Sequence, residues 1–267
     1  MSDFAPNTEG TFLGLPESVY RAAPGVNISA LKNAITPAHY RAVRDAEQPA
    51  SPSAAQVFGT ACHAAALEGR TSFVTRPDGM NFTTKEGKAW REAQTLPILT
   101  ADEARAIEGV RDSLSAHPVA SVILGSGGQA EVAAFKLHAS GLLLKGRADF
   151  VTQDQGGLTT IVDLKTTGFG DGAESAFARE VAKWKYHQQA AFYLDLFGAS
   201  FFVFIVAEKE PPYAVNVFHL DSESIAQGRA ENERALESIA VSESLGDWPA
   251  YPAQMHTLTL PKWAKAI

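Results

Sequence analysis

Leu142-Leu143-Leu144-Lys145-Gly146-Arg147-Ala148-Asp149-Phe150-Val151, a turn at Asp154-Gln155-Gly156-Gly157, and Leu158-Thr159-Thr160-Ile161-Val162-Asp163-Leu164-Lys165 form the stretch that decides the fold. Two strand-like runs joined by a glycine turn read as a hairpin. The run Glu131-Val132-Ala133-Ala134-Phe135-Lys136-Leu137-His138, closed by Ala139-Ser140-Gly141, adds a third strand and makes a meander. Hairpin partners place Asp149 and Asp163 at one sheet end, a few ångström apart, and like charges that close need a cation. Oxygen ligation by carboxylates and a backbone carbonyl suits Mg²⁺ or Mn²⁺ rather than zinc. Lys165 follows Asp163 by two residues, so strand period puts both side chains on one face, where a water activated by the ion would meet an ammonium.

Working outward, a helical region is predicted from about 174 to 197, an apolar strand at 201–207, another at 213–220, and a helix capped by Asp221 running to about 242. Upstream, Asn27 and Thr36-Pro37 each open a short helix, Ser51-Pro52 is a break, and 54–67 is an alanine-rich helix. The stretch 70–99 reads as mostly loop with a helical piece near 85–94, and Thr100 with Glu103 is a capping box for a helix to about 117. Pro6, Pro16 and Pro24 with scattered glycines make 1–26 an irregular arm, leaving 27–267 as a single domain.

At 267 residues with 45% hydrophobic and 20% charged residues, the chain has ordinary globular composition and can bury one substantial core. Cys62 is the only cysteine, which excludes an internal disulfide and a cysteine-ligated zinc or iron-sulfur cluster and fits a reducing, cytoplasmic setting. No basic segment precedes an apolar run and no stretch approaches ~18 uncharged apolar residues, so the expectation is neither secretion nor a membrane span. The net charge of -7 counts against a simple phosphate-binding surface. That objection weakens where carboxylates hold a divalent ion and basic residues line one groove.

Around the two aspartates, Glu131 is either a solvated outward carboxylate or a third acid of the site. His63 is either a packing histidine or an approach from the preceding helix. Arg147 shares a strand face with Asp149 and can grip phosphate or pair with Glu131. Gln189 and Tyr193 stand at i, i+4 on one helix face. Arg179, Lys183, Trp184 and Lys185 offer a basic and aromatic cluster, while Cys62 reads as a buried hydrophobe.

Taken in order, Gly59-Thr60-Ala61-Cys62-His63, Gly146-Arg147-Ala148-Asp149, Asp163-Leu164-Lys165-Thr166-Thr167 and Tyr186-x-x-Gln189-x-x-x-Tyr193 resemble the successive motifs of PD-(D/E)XK nucleases of the RecE and RecB branch. Asn27-Ile28-Ser29-Ala30-Leu31-Lys32, Pro37-Ala38-His39-Tyr40, Trp248-Pro249-Ala250-Tyr251 and Leu260-Pro261-Lys262-Trp263 extend the resemblance over nearly the whole chain. The sequence departs from the lettered motif, with Asp163 in place of glutamate and no proline before Asp149, but keeps two carboxylates and a lysine.

The resemblance implies an α/β restriction-endonuclease-like core, a mixed central sheet flanked by helices, with N-terminal helices walling one side of a cleft. It implies metal ligation by Asp149, Asp163 and the Leu164 carbonyl, with His63 and Glu131 completing or flanking the site. Lys165 would orient or activate water, and Arg147, Lys185, Tyr186, Gln189 and Tyr193 would meet the substrate. The implied activity is a Mg²⁺-dependent 5′-to-3′ exonuclease on DNA duplex ends in phage-type recombination, beside a single-strand annealing protein and as a homo-oligomeric ring. An endonuclease of repair or restriction type and a silent DNA-binding module are the alternatives.

Overall fold

The computed structural model describes residues 8–46 and 52–261. The first seven residues of the expected arm, the Ser51 break, Lys262 and Trp263 lie outside the described residues. What the sequence presents as an irregular arm instead holds β1 (Gly10–Phe12) and α1 (Glu17–Ala22). Pro16 stands just before the first helical residue, where a missing N–H leaves no bond unmade. β1 owes its order to a tertiary partner, pairing antiparallel with Ala133–Phe135, and Leu15 and Ala23 are buried against that strand.

α2 (Ile28–Leu31) begins where the Asn27 side chain accepts from the Ala30 N–H at 2.9 Å, and α3 (Pro37–Asp45) carries proline in its first turn. α4 (Ala54–Leu67) spans the predicted alanine-rich helix and opens on a reciprocal Ser53–Gln56 capping box. β2 (Val74–Thr75), α5 (Lys85–Glu92) and β3 (Ile98–Leu99) follow. β2 and β3 pair in parallel and are too short to show a period in sequence. α6 (Ala101–Ala116) starts at the predicted Thr100–Glu103 box, and α7 (Pro118–Leu124), unforeseen, restarts the chain from a His117 cap.

The meander is β4 (Gln129–Leu137), β5 (Leu143–Gln153) and β6 (Thr159–Thr167). The single helical region expected next is two helices, α8 (Glu174–Lys183) and α9 (Tyr186–Phe197), broken where Lys185 takes φ 55°. β7 (Phe201–Glu208), β8 (Val215–His219) and α10 (Ser222–Leu245) complete the order.

The six-stranded sheet runs β1-β4-β5-β6-β7-β8, antiparallel throughout except for the parallel β6–β7 pair. This mixed sheet agrees with the expected restriction-endonuclease-like α/β core. On one face α4, α6 and α7 pack on Phe150, Val162, Leu164 and Ile205. On the other, α8 and α9 cover Ile161, Phe204 and Val206, and α10 packs behind α9. Gly228 lets α10 approach, since a Cβ there would lie 2.3 Å from the His187 carbonyl oxygen, and Asn232 donates to the Gln188 carbonyl at 2.9 Å. α9 is thereby fixed on the sheet face, against the central strands that bear the acids.

Candidate active site

The β5–β6 ladder runs from Gln153↔Thr159 to Phe150↔Val162 and stops one step before Asp149 would face Asp163. There the strands part. The Asp149 carboxylate fills the opening, its Oδ2 accepting the Leu164 N–H at 2.9 Å, so the backbone donor freed by the splay is satisfied by a side chain. β6 keeps its parallel ladder with β7 from Thr160 to Thr167, which holds Asp163 and Lys165 from the other side.

Across β5, the β4 ladder pairs Ala130↔Phe150 and Val132↔Ala148 but passes over Glu131, which has φ 55°. A left-handed backbone at a non-glycine residue costs roughly 1–3 kcal/mol and persists where the surroundings enforce it. The facing alternation also breaks here: Ala148 packs with Ala190 and Phe204, whereas Phe150, two residues on, packs with Val162 and Leu164. Strained backbone and broken period both fall on the acidic cluster.

Ligand atoms of His63, Glu131 and Asp149 lie within 4.8 Å of one another. The Leu164 carbonyl can only accept, so His63 Nε2 donates to it at 2.7 Å, and Nδ1 faces Asp149 Oδ2 at 3.5 Å. Burial holds the Asp149 carboxyl above the usual range, with Asp163 adding to the shift and His63 opposing it. Glu131 is raised chiefly by burial as well, against the pull of Arg147.

Asp163 forms a second cluster. Its Oδ2 lies 2.5 Å from Lys165 Nζ, and its Oδ1 accepts from Gln189 Nε2 at 2.5 Å. Burial works against the Lys165 ammonium, but Asp163 and Asp149 outweigh it and hold its pKa above the ordinary value. The Tyr186 ring lies under that ammonium, 4.7 Å from centroid to Nζ. Lys165 is therefore a fixed cation between two carboxylates and an aromatic face.

Several of the expected substrate contacts have partners within the chain. Arg147 pairs with Glu131 at 2.7 Å and lies over the Tyr20 ring. The Tyr193 hydroxyl donates to the Arg147 carbonyl at 2.9 Å, bracing β5, and Lys185 Nζ donates to the Lys32 carbonyl at 2.6 Å, tying the start of α9 to the end of α2. In the basic and aromatic cluster, Lys183 pairs with Glu180, whose other oxygen takes the Trp184 N–H. Cys62 is buried, its thiol pushed up to about 12 by burial, as its expected role as a hydrophobe requires.

Lys32 was not singled out from the sequence. Its ammonium sits 5.6 Å from the Tyr186 ring centroid, and burial and then Lys165 lower its pKa. Only its place in the quoted Asn27–Lys32 motif pointed to it. Residues of α1, α2 and α3 line a cavity of about 930 Å³ with Lys145, Arg147 and Tyr193, and none of Glu131, Asp149, Asp163 and His63 is among its lining residues.

The donor set fits a hard divalent cation. Two carboxylates and an imidazole converge at Glu131, Asp149 and His63, and a third carboxylate, Asp163, stands beside them with its Oδ2 held against the Lys165 ammonium. The Leu164 carbonyl keeps a second lone pair beyond the one His63 uses.

Known proteins match this chain at two levels. A family model described as a PDDEXK-like domain of unknown function (DUF3799) matches residues 27–259. No curated protein sequence matches it. A crystal structure described as a "Putative exonuclease" from Eubacterium rectale superposes with a TM-score of 0.59 at 15% identity, over 94% of this chain and 96% of that one. An alkaline exonuclease from Laribacter hongkongensis gives a TM-score of 0.30 at 18% identity, over 69% of this chain and 95% of that one. The match over residues 27–259 includes both strands that carry Asp149 and Asp163, and the chain belongs to the DUF3799 family of PDDEXK-like domains.

Proposed function

We propose that the chain is a Mg²⁺-dependent deoxyribonuclease that degrades DNA from duplex ends in the 5′-to-3′ direction. The observation that supports it is the splayed β5–β6 junction, where Asp149, Asp163 and Lys165 converge with His63 and Glu131. Two carboxylates and a lysine in this relation are what phosphodiester hydrolysis by this class of fold needs. PDDEXK nucleases use divalent metals, and here His63, Glu131 and Asp149 would hold the ion, with Asp163 and the Leu164 carbonyl as further oxygen donors. Bound there, Mg²⁺ or Mn²⁺ supplies charge neutralisation at the phosphate and lowers the pKa of water.

The chain's own groups do the rest. Lys165, kept protonated by Asp163 and Asp149, donates to the attacking water or to the phosphate oxygens rather than serving as a base. Gln189 fixes the orientation of Asp163, and Tyr186 seats Lys165. Arg147, Lys185 and Tyr193 position β5 and α9. A place in phage-type recombination beside a single-strand annealing protein, ring assembly around the duplex and a cytoplasmic setting rest on the motif resemblance and on the single cysteine. Among the described residues no helix is long and apolar enough to cross a membrane.

The test is degradation of linear duplex DNA labelled separately at each 5′ and 3′ end, in Mg²⁺, Mn²⁺ or EDTA, with Lys165→Ala as control. Loss of linear but not closed circular DNA, abolished by EDTA and by the substitution, supports the exonuclease and reports its polarity. Nicking of closed circles makes it an endonuclease. No hydrolysis with either ion leaves a DNA-binding module.

A further inference from the structure

A second built surface lies between α4 and α6, in the stretch read from sequence as mostly loop. The Asn81 side chain accepts from the Thr83 N–H at 2.9 Å, the Thr84 hydroxyl donates to the Asn81 carbonyl at 2.9 Å, and Thr84 caps α5. α5 sits so close to this turn that a Cβ on Gly87 would lie 2.0 Å from the Asn81 carbonyl oxygen. The turn thereby holds Phe82 against α5, stacked on Trp90 at 6.1 Å and 13°.

Two arginines converge on that ring. Arg76 is placed by its N–H, which donates to the Leu99 carbonyl at 2.8 Å beyond the β2–β3 pair, and Arg91 comes from α5. Their guanidinium carbons lie 5.7 and 5.8 Å from the Phe82 centroid. Among the described residues neither has a carboxylate within ion-pair distance, nor do Lys85 and Lys88, whereas Arg70, Arg105 and Arg111 on either side are all paired. Lys85, Lys88 and Arg91 recur at i, i+3 and i+6, along one side of α5. In a chain of net charge -7, this is a local surplus of positive charge held on a rigid platform.

Arg76, Phe82 and Arg91 line a cavity of about 530 Å³ whose other walls include Val57, Leu96 and Ile98. Apolar walls with guanidiniums beside an aromatic ring suit a flat ring that carries an anion. A duplex keeps its bases stacked inside, whereas an unpaired strand offers both base and phosphate. Val57 and His63 stand six residues apart on α4, about 9 Å along its axis, so one helix both lines the cavity and carries a residue of the acidic cluster.

We propose that this cavity binds single-stranded DNA, taking one unpaired base against Phe82 and flanking phosphates on Arg76 and Arg91. It rests on the nuclease reading above and names which form of DNA the chain holds near its site.

The experiment is fluorescence anisotropy in EDTA, with a labelled oligothymidine and a blunt duplex of equal length, across a salt series. The variants are Arg76→Ala with Arg91→Ala, and Phe82→Leu, each checked by thermal melting. The double variant should weaken oligothymidine binding about tenfold or more and flatten its salt slope by about 1.4, or ~0.7 per phosphate contact. Phe82→Leu should weaken it with the slope kept, because stacking is lost and charge is not. Unchanged single-strand affinity in the double variant overturns the proposal, as does an equal loss on duplex, which would make the surface a duplex-backbone contact. Wild-type protein that binds oligothymidine through Arg76 and Arg91 yet hydrolyses no DNA would overturn the nuclease reading alone.

Discussion

Asp149 stands in for a missing strand contact: its carboxylate accepts the Leu164 N–H at 2.9 Å where β5 and β6 separate. Asn at this position keeps an acceptor, whereas Ala leaves a buried N–H unsatisfied at a cost of about 1–3 kcal/mol. Asp149→Asn should therefore unfold in denaturant close to the wild type and Asp149→Ala well below it. Both should lose hydrolysis by at least about 10²-fold. Equal stability of the two variants would remove the structural part of this role.

A divalent cation should raise the melting temperature at neutral pH. Burial holds Asp149 and Glu131 above the usual carboxylate range, so their ionisation opposes the fold, and that opposition fades as pH falls through their raised pKa values. An ion bound to the charged forms reverses the penalty, and at 100 times its Kd stabilises by about 2.7 kcal/mol. Differential scanning fluorimetry with Mg²⁺ or Mn²⁺ should show a shift that shrinks toward acid pH and vanishes in His63→Ala combined with Glu131→Gln. No shift with either ion would count against the site.

Gln189 touches Asp163 and is placed as a positioning residue. Removing it frees the carboxylate to turn, so Gln189→Ala should lower kcat about tenfold to a hundredfold with KM little changed. Gln189→Glu should be worse, since it sets a second carboxylate against Asp163. A rise in KM with kcat intact would point to direct substrate contact instead.

Tyr193→Phe removes only the hydrogen bond to the Arg147 carbonyl. A loss of about 1 kcal/mol in stability, with DNA affinity unchanged, is the expected outcome in paired unfolding and binding measurements.

Glu231 links stability to pH away from the site. Burial opposes its charge, but Gln227, Gln188 and His187 donate to it at 3.0, 2.5 and 3.0 Å and hold its pKa at about 2. A depressed carboxylate stabilises the fold above its ordinary pKa, and that contribution is lost as pH falls from about 4.5 to about 2. Glu231→Gln should be less stable at neutral pH, by at most about 3 kcal/mol, and in urea unfolding the gap should narrow to about half near pH 3 and nearly close by about pH 2.

The meander, α4, α6, α10 and the β7 strand were legible because each has a strong local signal: glycine turns, a capping box, or an unbroken apolar run. β1 and α1 were not, because three residues paired to β4 and a helix docked on Phe135 get their order from distant partners. The break at Lys185 was equally silent, since helix formers flank it on both sides. Within the site, strand period predicted Asp163 beside Lys165, and it was right. It could not foresee that β4 reverses its backbone at Glu131, nor that Arg147, Lys185 and Tyr193 are engaged by other parts of the chain, since those contacts span 16 to 153 residues.

Beyond Phe150↔Val162, the parting of β5 from β6 leaves two separately bonded strand pairs at this end of the sheet. β4 and β5 carry Glu131 and Asp149, while β6 and β7 carry Asp163 and Lys165, and each pair has its own ladder up to and past the acids. The distance between the two acidic pairs is thus the one dimension of the site that no backbone ladder sets. What spans the gap between the acids is a side chain, Asp149 bonded to Leu164, one step beyond the last backbone pair at Phe150↔Val162, so a wider gap would cost that hydrogen bond.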